Sequence, residues 1–417
     1  MTLKSPISNL RWRAAFPLLG ALFLLVPAAA SQTPPESGTV HIPYAEWFRE
    51  GDRQDISWKV KVAESGLTFF QRQRVNVRVK LSGKRLQHRS VRRDLYLLVK
   101  LADTSGRWLE GQGKSWAVMD DPLPKNTQLE FSQALLVRPG EYTLGLILYD
   151  RVTGERSVAR RRVRVPPLAS DPLPDIEAAL PAVEFLEPAE GSDNLFRPEL
   201  LDRLNLPVAT RHRVHVELLA NFSASEEYTG QRRVQFINQA ILLPTLNVLS
   251  QIKLTNGTLG LTALDLDRRR VLFEQTDLQP LDWPRLKEAL VTLRTDVVDT
   301  RTLEARRERG AFFREILQQR LPPSRGASPA PNEEPFRVFL IVGSGTLFPR
   351  GSDLEPIQAP KECFCRVYYL QYRVSYGNLW DDLIRIVRPL EPKRFHVFSP
   401  IEMRRALAVI LADLGSL

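Results

Sequence analysis

From residue 211 onward the chain is punctuated by short, almost unbroken apolar runs: VHVELLAN, LGLTALDL, FRVFLIV, RVYYLQY and FHVF. A strand of that kind is buried on both faces, so it needs a covering layer above and below, which helix-connected parallel strands supply. The stretches between the runs have helical spacing. In RRVQFINQAILLPTLNVLSQI, Val234, Ile237, Ile241 and Leu249 fall on one side, and Pro244 is expected to kink the helix. Asp282 stands where it caps WPRLKEALVTLR, with Pro284 in the first turn. TLEARRERGAFFREILQQRL is expected to end at Pro322, and LWDDLIRIVRPL and PIEMRRALAVILADL form the last helices. Asn256 and Gly257 lead into TLGLTALDLD, and residues 268–270 reverse it into VLFEQTDL as a hairpin. Strands interleaved with helices in this way predict a doubly wound, Rossmann-like α/β domain over 211–417.

Residues 38–167 carry a different period. Val75, Val77, Val79 and Leu81 alternate with Asn76, Arg78 and Lys80, the mark of a half-buried strand. EYTLGLILYD repeats the pattern with Tyr142, Leu144, Leu146 and Leu148, introduced by Pro139 and Gly140 and turned by Thr153 and Gly154 into SVARRRVRV. No amphipathic helix is evident there, so an all-β sandwich of immunoglobulin or fibronectin type is expected. Residues 168–210, rich in proline and acid, read as a linker with one short strand at AVEFL. The expected fold class is therefore multidomain, an all-β sandwich followed by a doubly wound α/β domain.

At the amino end Lys4, Arg11 and Arg13 precede an apolar run from Ala14 to Val26, and Ala28 and Ala30 fit a small-x-small cleavage site. Residues 1–30 therefore read as a signal peptide, and the protein as secreted or periplasmic, with no transmembrane segment after the signal is removed. The formal charge of +10, from 58 Lys plus Arg against 48 Asp plus Glu, attracts anionic surfaces. Its basic residues alternate along strands without aromatic interleaving, which argues for a solvated face and against nucleic acid. GKS at 113–115 has Trp108 where a phosphate-binding loop needs its first glycine. Cys363 and Cys365, one residue apart, read as free or transiently paired thiols.

VHVELLAN ends in a small polar loop in which Asn221, Ser223 and Ser225 fall at alternate positions, at the end of a strand where open α/β sheets bind ligands. VELLANFSAS and the order of elements around it resemble a von Willebrand factor type A (vWA) domain over roughly 200 residues. The resemblance implies a metal-ion-dependent adhesion site: a D-x-S-x-S strand end that holds a divalent metal together with a threonine and an aspartate from later loops. Carried onto this chain, Ser223 and Ser225 stand at the serine positions, Asn221 replaces the first aspartate, and Gly343, Ser344 and Gly345 stand where the later aspartate is expected. Thr295, Thr300 and Thr302 are the candidate threonines. Divalent ions need hard oxygen ligands and usually a carboxylate, so no tightly bound cofactor is expected and at most a weak divalent metal.

A catalytic reading finds little support. GSG at 343–345 is not a nucleophile elbow, no histidine sits in H-E-x-x-H, and Asp265 and Asp267 on the hairpin are expected to be solvated turn residues. The expected function is a non-enzymatic interaction module that binds a protein or cell-surface partner around Asn221, Ser223, Ser225 and Ser344. Two alternatives stay open: a hydrolase with one of those serines as nucleophile, which requires a nearby histidine or lysine, and a binder of anionic wall or membrane polymer.

Overall fold

A computed structural model describes residues 42–86, 92–121, 123–187, 191–223, 238–293, 305–322, 335–348, 351–360, 363–372 and 381–417. The expected signal peptide lies outside the described residues. Tyr44–Leu417 forms one unit, separate from Met1–Pro43. The fold is β-rich and multi-layered. The first half contains β1 (Arg53–Gln54), β2 (Trp58–Val62), β3 (Gly66–Leu67), β4 (Gln73–Ser82), β5 (Arg93–Ala102), β6 (Gly113–Met119), β7 (Gln128–Val137), β8 (Gly140–Asp150), β9 (Arg156–Val165) and β10 (Val183–Leu186). These pair into two antiparallel sheets, ordered β1-β9-β8-β5-β6 and β10-β7-β4-β2, with β3 added to β4.

Alternation builds the core between them. Val75, Val77, Val79 and Leu81 of β4 meet Leu95, Leu97 and Val99 of β5 and Leu144, Leu146 and Leu148 of β8. Each such side chain contributes roughly 1.5–3 kcal/mol when fully buried. The expected solvent face of β8 is also covered, by a helix that the alternation did not reveal, α1 (Tyr44–Glu50). A Cβ at Gly145 would meet Phe48 Cζ at 2.5 Å and Trp108 at 2.7 Å, so glycine at that position is what admits α1. Gly113 opens β6, which confirms that GKS belongs to a strand and not to a strand-to-helix phosphate loop.

Within the linker expected at 168–210, the short strand expected at AVEFL forms as β10, and a second short strand, β11 (Leu206–Val208), forms where none is expected. Strand β10 extends the second sheet by pairing with β7, and β11 pairs in parallel with a strand of the second half, β13 (Ile252–Leu254). Proline-rich composition marks where regular helix stops, and here the extended backbone so produced is used for pairing.

The second half holds a six-stranded sheet made of β12 (Val214–Asn221), β14 (Gly257–Asp265), β15 (Arg270–Gln275), β16 (Phe336–Ser344), β17 (Cys365–Tyr372) and β18 (Lys393–Val397). The order is β15-β14-β12-β16-β17-β18. All neighbours are parallel except β14 and β15, which form the expected hairpin. Both faces are covered. On one, Val216, Leu218, Leu261, Leu340 and Leu370 pack against α2 (Leu243–Leu249), α3 (Trp283–Val291) and α6 (Pro400–Gly415). On the other, Leu219, Phe339, Ile341 and Tyr369 pack against α4 (Arg309–Arg320) and α5 (Asp382–Val387).

Local signals account for the helix starts. Asp282 accepts from the Arg285 amide at 3.0 Å to cap α3, and at α6 Ser399 Oγ accepts from the Glu402 amide at 3.5 Å while the Glu402 carboxylate accepts from the Phe398 amide and the Ser399 hydroxyl. Residues Asn238–Leu242 form a π-helical turn that runs straight into α2, and Pro244 stands in the first turn of α2, where its missing N–H is least costly. No helix among the described residues is long and apolar enough to cross a membrane.

Candidate functional site

Successive parallel strands deliver their last residues to one edge of the sheet. Asn221 ends β12 beside Gly343 of β16, where an added Cβ would stand 3.1 Å from Asn221 Cβ. Glycine therefore lets the asparagine reach across to the next loop. Asn221 is only 2% exposed. Its Oδ1 accepts from the Ser223 amide at 3.0 Å, and its Nδ2 donates to Thr346 Oγ1 at 3.1 Å, while that hydroxyl donates to the Ser344 carbonyl at 3.2 Å. Ser223 is buried too. Its Oγ accepts from the Leu266 amide and, at 3.3 Å, from the Asp267 amide, which ties the loop after β12 to the turn after β14.

A carboxylate that sequence reasoning did not single out joins this network. Asp381 caps α5 by accepting from the Leu383 amide at 3.1 Å, and the same oxygen accepts from the Thr346 amide at 3.3 Å. Its second oxygen accepts from Gln371 Nε2 at 2.7 Å, and Gln371 Oε1 in turn accepts from Arg394 Nε and Nη2 at 3.2 and 2.7 Å. Asp381 is 5% exposed, and burial pushes its carboxyl up to about 6. The Tyr369 hydroxyl, the Thr346 and Leu383 amides and the Arg394 charge oppose that rise. The ends of β12, β16 and β17 are thus joined through Asn221, Thr346, Asp381 and Gln371, and Arg394, the second residue of β18, reaches Gln371 from the neighbouring strand.

Of the residues expected at the site, the structure brings Asn221, Ser223 and Ser344 to neighbouring strand ends. Ser225, Thr295, Thr300 and Thr302 lie outside the described residues. The hydroxyl bonded to Asn221 belongs to Thr346, two residues past Ser344 in the sequence GSGT. A signal for Asp381 existed in its place as a helix cap before DLIRIV, but nothing in its spacing linked it to Asn221.

Two other expectations are corrected. Asp265 is not a solvated turn residue: it is buried and ion-paired with Arg268 and Arg270, each at 3.2 Å, because the turn folds its arginines back over the strand end. Asp267 pairs with buried Arg309 at 2.9 Å. Cys363 and Cys365 are not free thiols but are joined as a disulfide, the start of β17 holding their Cα atoms 5.2 Å apart.

The donor set as arranged does not fit a divalent ion. Asn221 turns an N–H, not an oxygen, toward Thr346, and the acceptor oxygens of Asn221 and Ser223 are occupied by main-chain amides. Among the described residues no group of three or more His, Cys, Asp or Glu side chains converges on a point. The contacts of Ser223 Oγ with other described residues are main-chain amides, whereas His215 lies at the opposite end of β12, facing Thr258 at 2.8 Å and Glu217 at 3.4 Å. What the network does is fix loop geometry. A cavity of about 480 Å³ opens elsewhere, where the two halves meet, lined by Gln73, Arg138, Asp171, Asp175, Glu177 and Arg404.

No family model matches the sequence, and no curated protein matches it. Among solved structures, the chain is similar to the putative ApaA protein from Bordetella pertussis at 10% identity, covering 27% of this chain and 96% of that one with a TM-score of 0.19. It is similar to a Bacteroides uniformis beta-glucuronidase at 12% identity over 78% of this chain and 36% of that one, TM-score 0.19. It is also similar to a family 123 glycoside hydrolase from Clostridium perfringens at 7% identity over 82% and 72%, TM-score 0.22. Likeness at this level carries nothing about fold or activity.

Proposed function

We propose that the chain is an exported, non-enzymatic interaction module whose second half is a vWA-like domain. It binds a protein or cell-surface partner at the carboxyl ends of its sheet strands, around Asn221, Ser223, Ser225 and Ser344, without a tightly bound metal. The observation that supports this most is the course of the chain. The opening parallel strand β12 ends in the Asn221 loop and the chain passes on to the β14–β15 hairpin, in a sheet covered on both faces by helices, as the resemblance leads one to expect. The asparagine replaces an anion by a group that crosslinks two strand ends, so recognition falls to the loops so held and not to an ion.

The loop after β16 is the natural reading surface. Arg314 anchors it through Asp353 at 3.0 and 2.7 Å and leaves Glu355 and Gln358 exposed. Calorimetric titration of the mature protein with magnesium, calcium and manganese should show no tight binding, and micromolar affinity would overturn the proposal. Asn221→Asp should raise magnesium affinity above wild type; an unchanged affinity means the loop is not arranged as in the metal-binding relatives. Crosslinking capture by the tagged, exported protein should be lost in Glu355→Lys/Gln358→Lys, and capture unaffected by that pair would move the contact surface elsewhere.

A further inference from the structure

The Cys363–Cys365 disulfide lies at the start of β17, the end of the sheet opposite the Asn221 network. It is poorly suited to be a staple. A bond that spans a single intervening residue removes little freedom from the unfolded chain, since the gain from a crosslink grows with the loop it closes. The register there is held without it, because Cys365 faces Arg337 in the β16–β17 ladder and the Phe364 carbonyl accepts from the Arg337 amide at 3.1 Å.

Its surroundings favour exchange. Cys363 and Cys365 are half-buried, and Phe364 between them is 41% exposed, set edge-on to Phe336 at 4.8 Å, so an aromatic patch adjoins the sulfurs. Arg366, exposed, sets its guanidinium over the Phe336 ring at 5.9 Å and donates to the Asp413 carbonyl at 3.2 Å, so the aromatic patch carries a cation at its side. Cys363 stands outside the ladder while Cys365 is fixed within it, which makes Cys363 the sulfur that is free to change partners.

We propose that this pair is an exchangeable disulfide that oxidises dithiol polypeptides, with the Phe336–Phe364 patch seating an extended apolar chain. A partner thiolate attacks Cys363 Sγ; the Cys363–Cys365 bond breaks, Cys365 leaves as a thiolate, and a mixed disulfide forms on Cys363. The partner's second thiolate then attacks its own sulfur in that mixed disulfide, which closes the partner's disulfide and releases the Cys363 thiolate. The two protons lost by the partner's thiols end on Cys363 and Cys365. Two electrons pass from partner to protein, which ends with Cys363 and Cys365 as thiols, and no further reagent enters this single exchange.

The full-length oxidised protein, mixed with a reduced peptide carrying two cysteines and flanking aromatic residues, should yield one peptide disulfide per protein at least about tenfold faster than oxidised glutathione at equal concentration. A rate no greater than that of glutathione overturns the proposal. Phe364→Ala should slow the reaction with the peptide severalfold and leave that with reduced glutathione unchanged, whereas equal slowing of both would remove the docking role. Cys365→Ser, offered the peptide's disulfide, should trap a mixed disulfide at Cys363. The melting temperature of Cys363→Ser/Cys365→Ser should stay within about 2 °C of wild type, and a larger fall would make the bond a structural staple.

Discussion

Two buried polar networks hold this chain together, and they are made of opposite materials. Where the antiparallel sheets of the first half meet the second half, the contacts are ionised. Arg404 of α6 is 2% exposed and grips Asp171 through Nε and Nη2 at 2.7 Å each, then donates to the carbonyls of Leu173 at 2.8 Å and Gln71 at 3.3 Å. Beside it, buried Arg72 pairs with Glu184, and the Gln71 side chain donates to the Pro400 carbonyl at 3.2 Å. Gln71 itself has a φ of 59°, a left-handed conformation held in place by those two contacts with α6. At the strand ends, by contrast, amides and hydroxyls make most of the links and Asp381 is the carboxylate that joins them. A buried ion pair contributes little net stability when intact but is costly to break on one side, whereas each neutral bond contributes modestly and fails modestly. The ionised joint therefore behaves as a weld, and the neutral edge as a jig that sets loop positions.

Arg404→Ala tests the weld and carries the largest expected effect. It leaves Asp171 without its cation and takes one of the neighbouring cations from Glu177, which keeps Arg72. We expect a loss of roughly 3–5 kcal/mol in urea unfolding, with part of it restored in Arg404→Ala/Asp171→Ala. A loss below about 1 kcal/mol would erase the distinction between the two networks.

The strand-end network differs in its response to pH. Asp381, near 3.9 when unfolded, is pushed up to about 6 in the fold. Between those values the folded protein holds more protons than the unfolded chain, so this residue's stabilising contribution is complete below about pH 4 and is lost as pH rises to about 6. The difference is worth about 2–3 kcal/mol. Asp381→Asn should flatten that part of the stability–pH profile. Burial also raises the Glu177 carboxyl, against the pull of Arg404 and Arg72, so its downward slope with rising pH should persist in Asp381→Asn. A profile unchanged by the substitution would mean that Asp381 is solvated, and the two networks would then differ only in place.

Much of this scaffold was legible in the sequence because period is a local property. Val75 to Leu81 named a strand with one buried face, and the runs VHVELLAN and FRVFLIV named strands buried on both faces. What escaped was whatever depended on distant partners. Glycine at 145 signals nothing until Phe48 is seen above it; the strand expected at AVEFL forms as β10, but its place beside β7, and β11 with its partner β13, show only in the fold. The site was half legible for the same reason. Asn221 and Ser223 share one strand end, but Thr346 and Asp381 reach them only through the parallel sheet. The alternation of Asn221, Ser223 and Ser225 suggested oxygens converging outward; burial and the turn reversed that for Asn221 and Ser223 by supplying amide donors nearer than any ligand.

The smallest effect sharpens the comparison most. Thr346→Val keeps the shape of the side chain and removes the hydroxyl that accepts from Asn221 Nδ2 and donates to the Ser344 carbonyl, while the Thr346 amide still reaches Asp381. One buried donor loses its partner, at a cost of about 1–2 kcal/mol in thermal or urea unfolding, well short of the Arg404 loss. The more telling readout is local. If the edge is a jig, hydrogen exchange at the amides of Ser223, Leu266 and Asp267 should accelerate in Thr346→Val, since Asn221 no longer holds the loop that Ser223 ties to the hairpin, while amides at the joint around Gln71 and Arg72 stay as protected as before. Exchange that rises equally in both places would show that the two networks open together, and that the strand ends are no more adjustable than the weld.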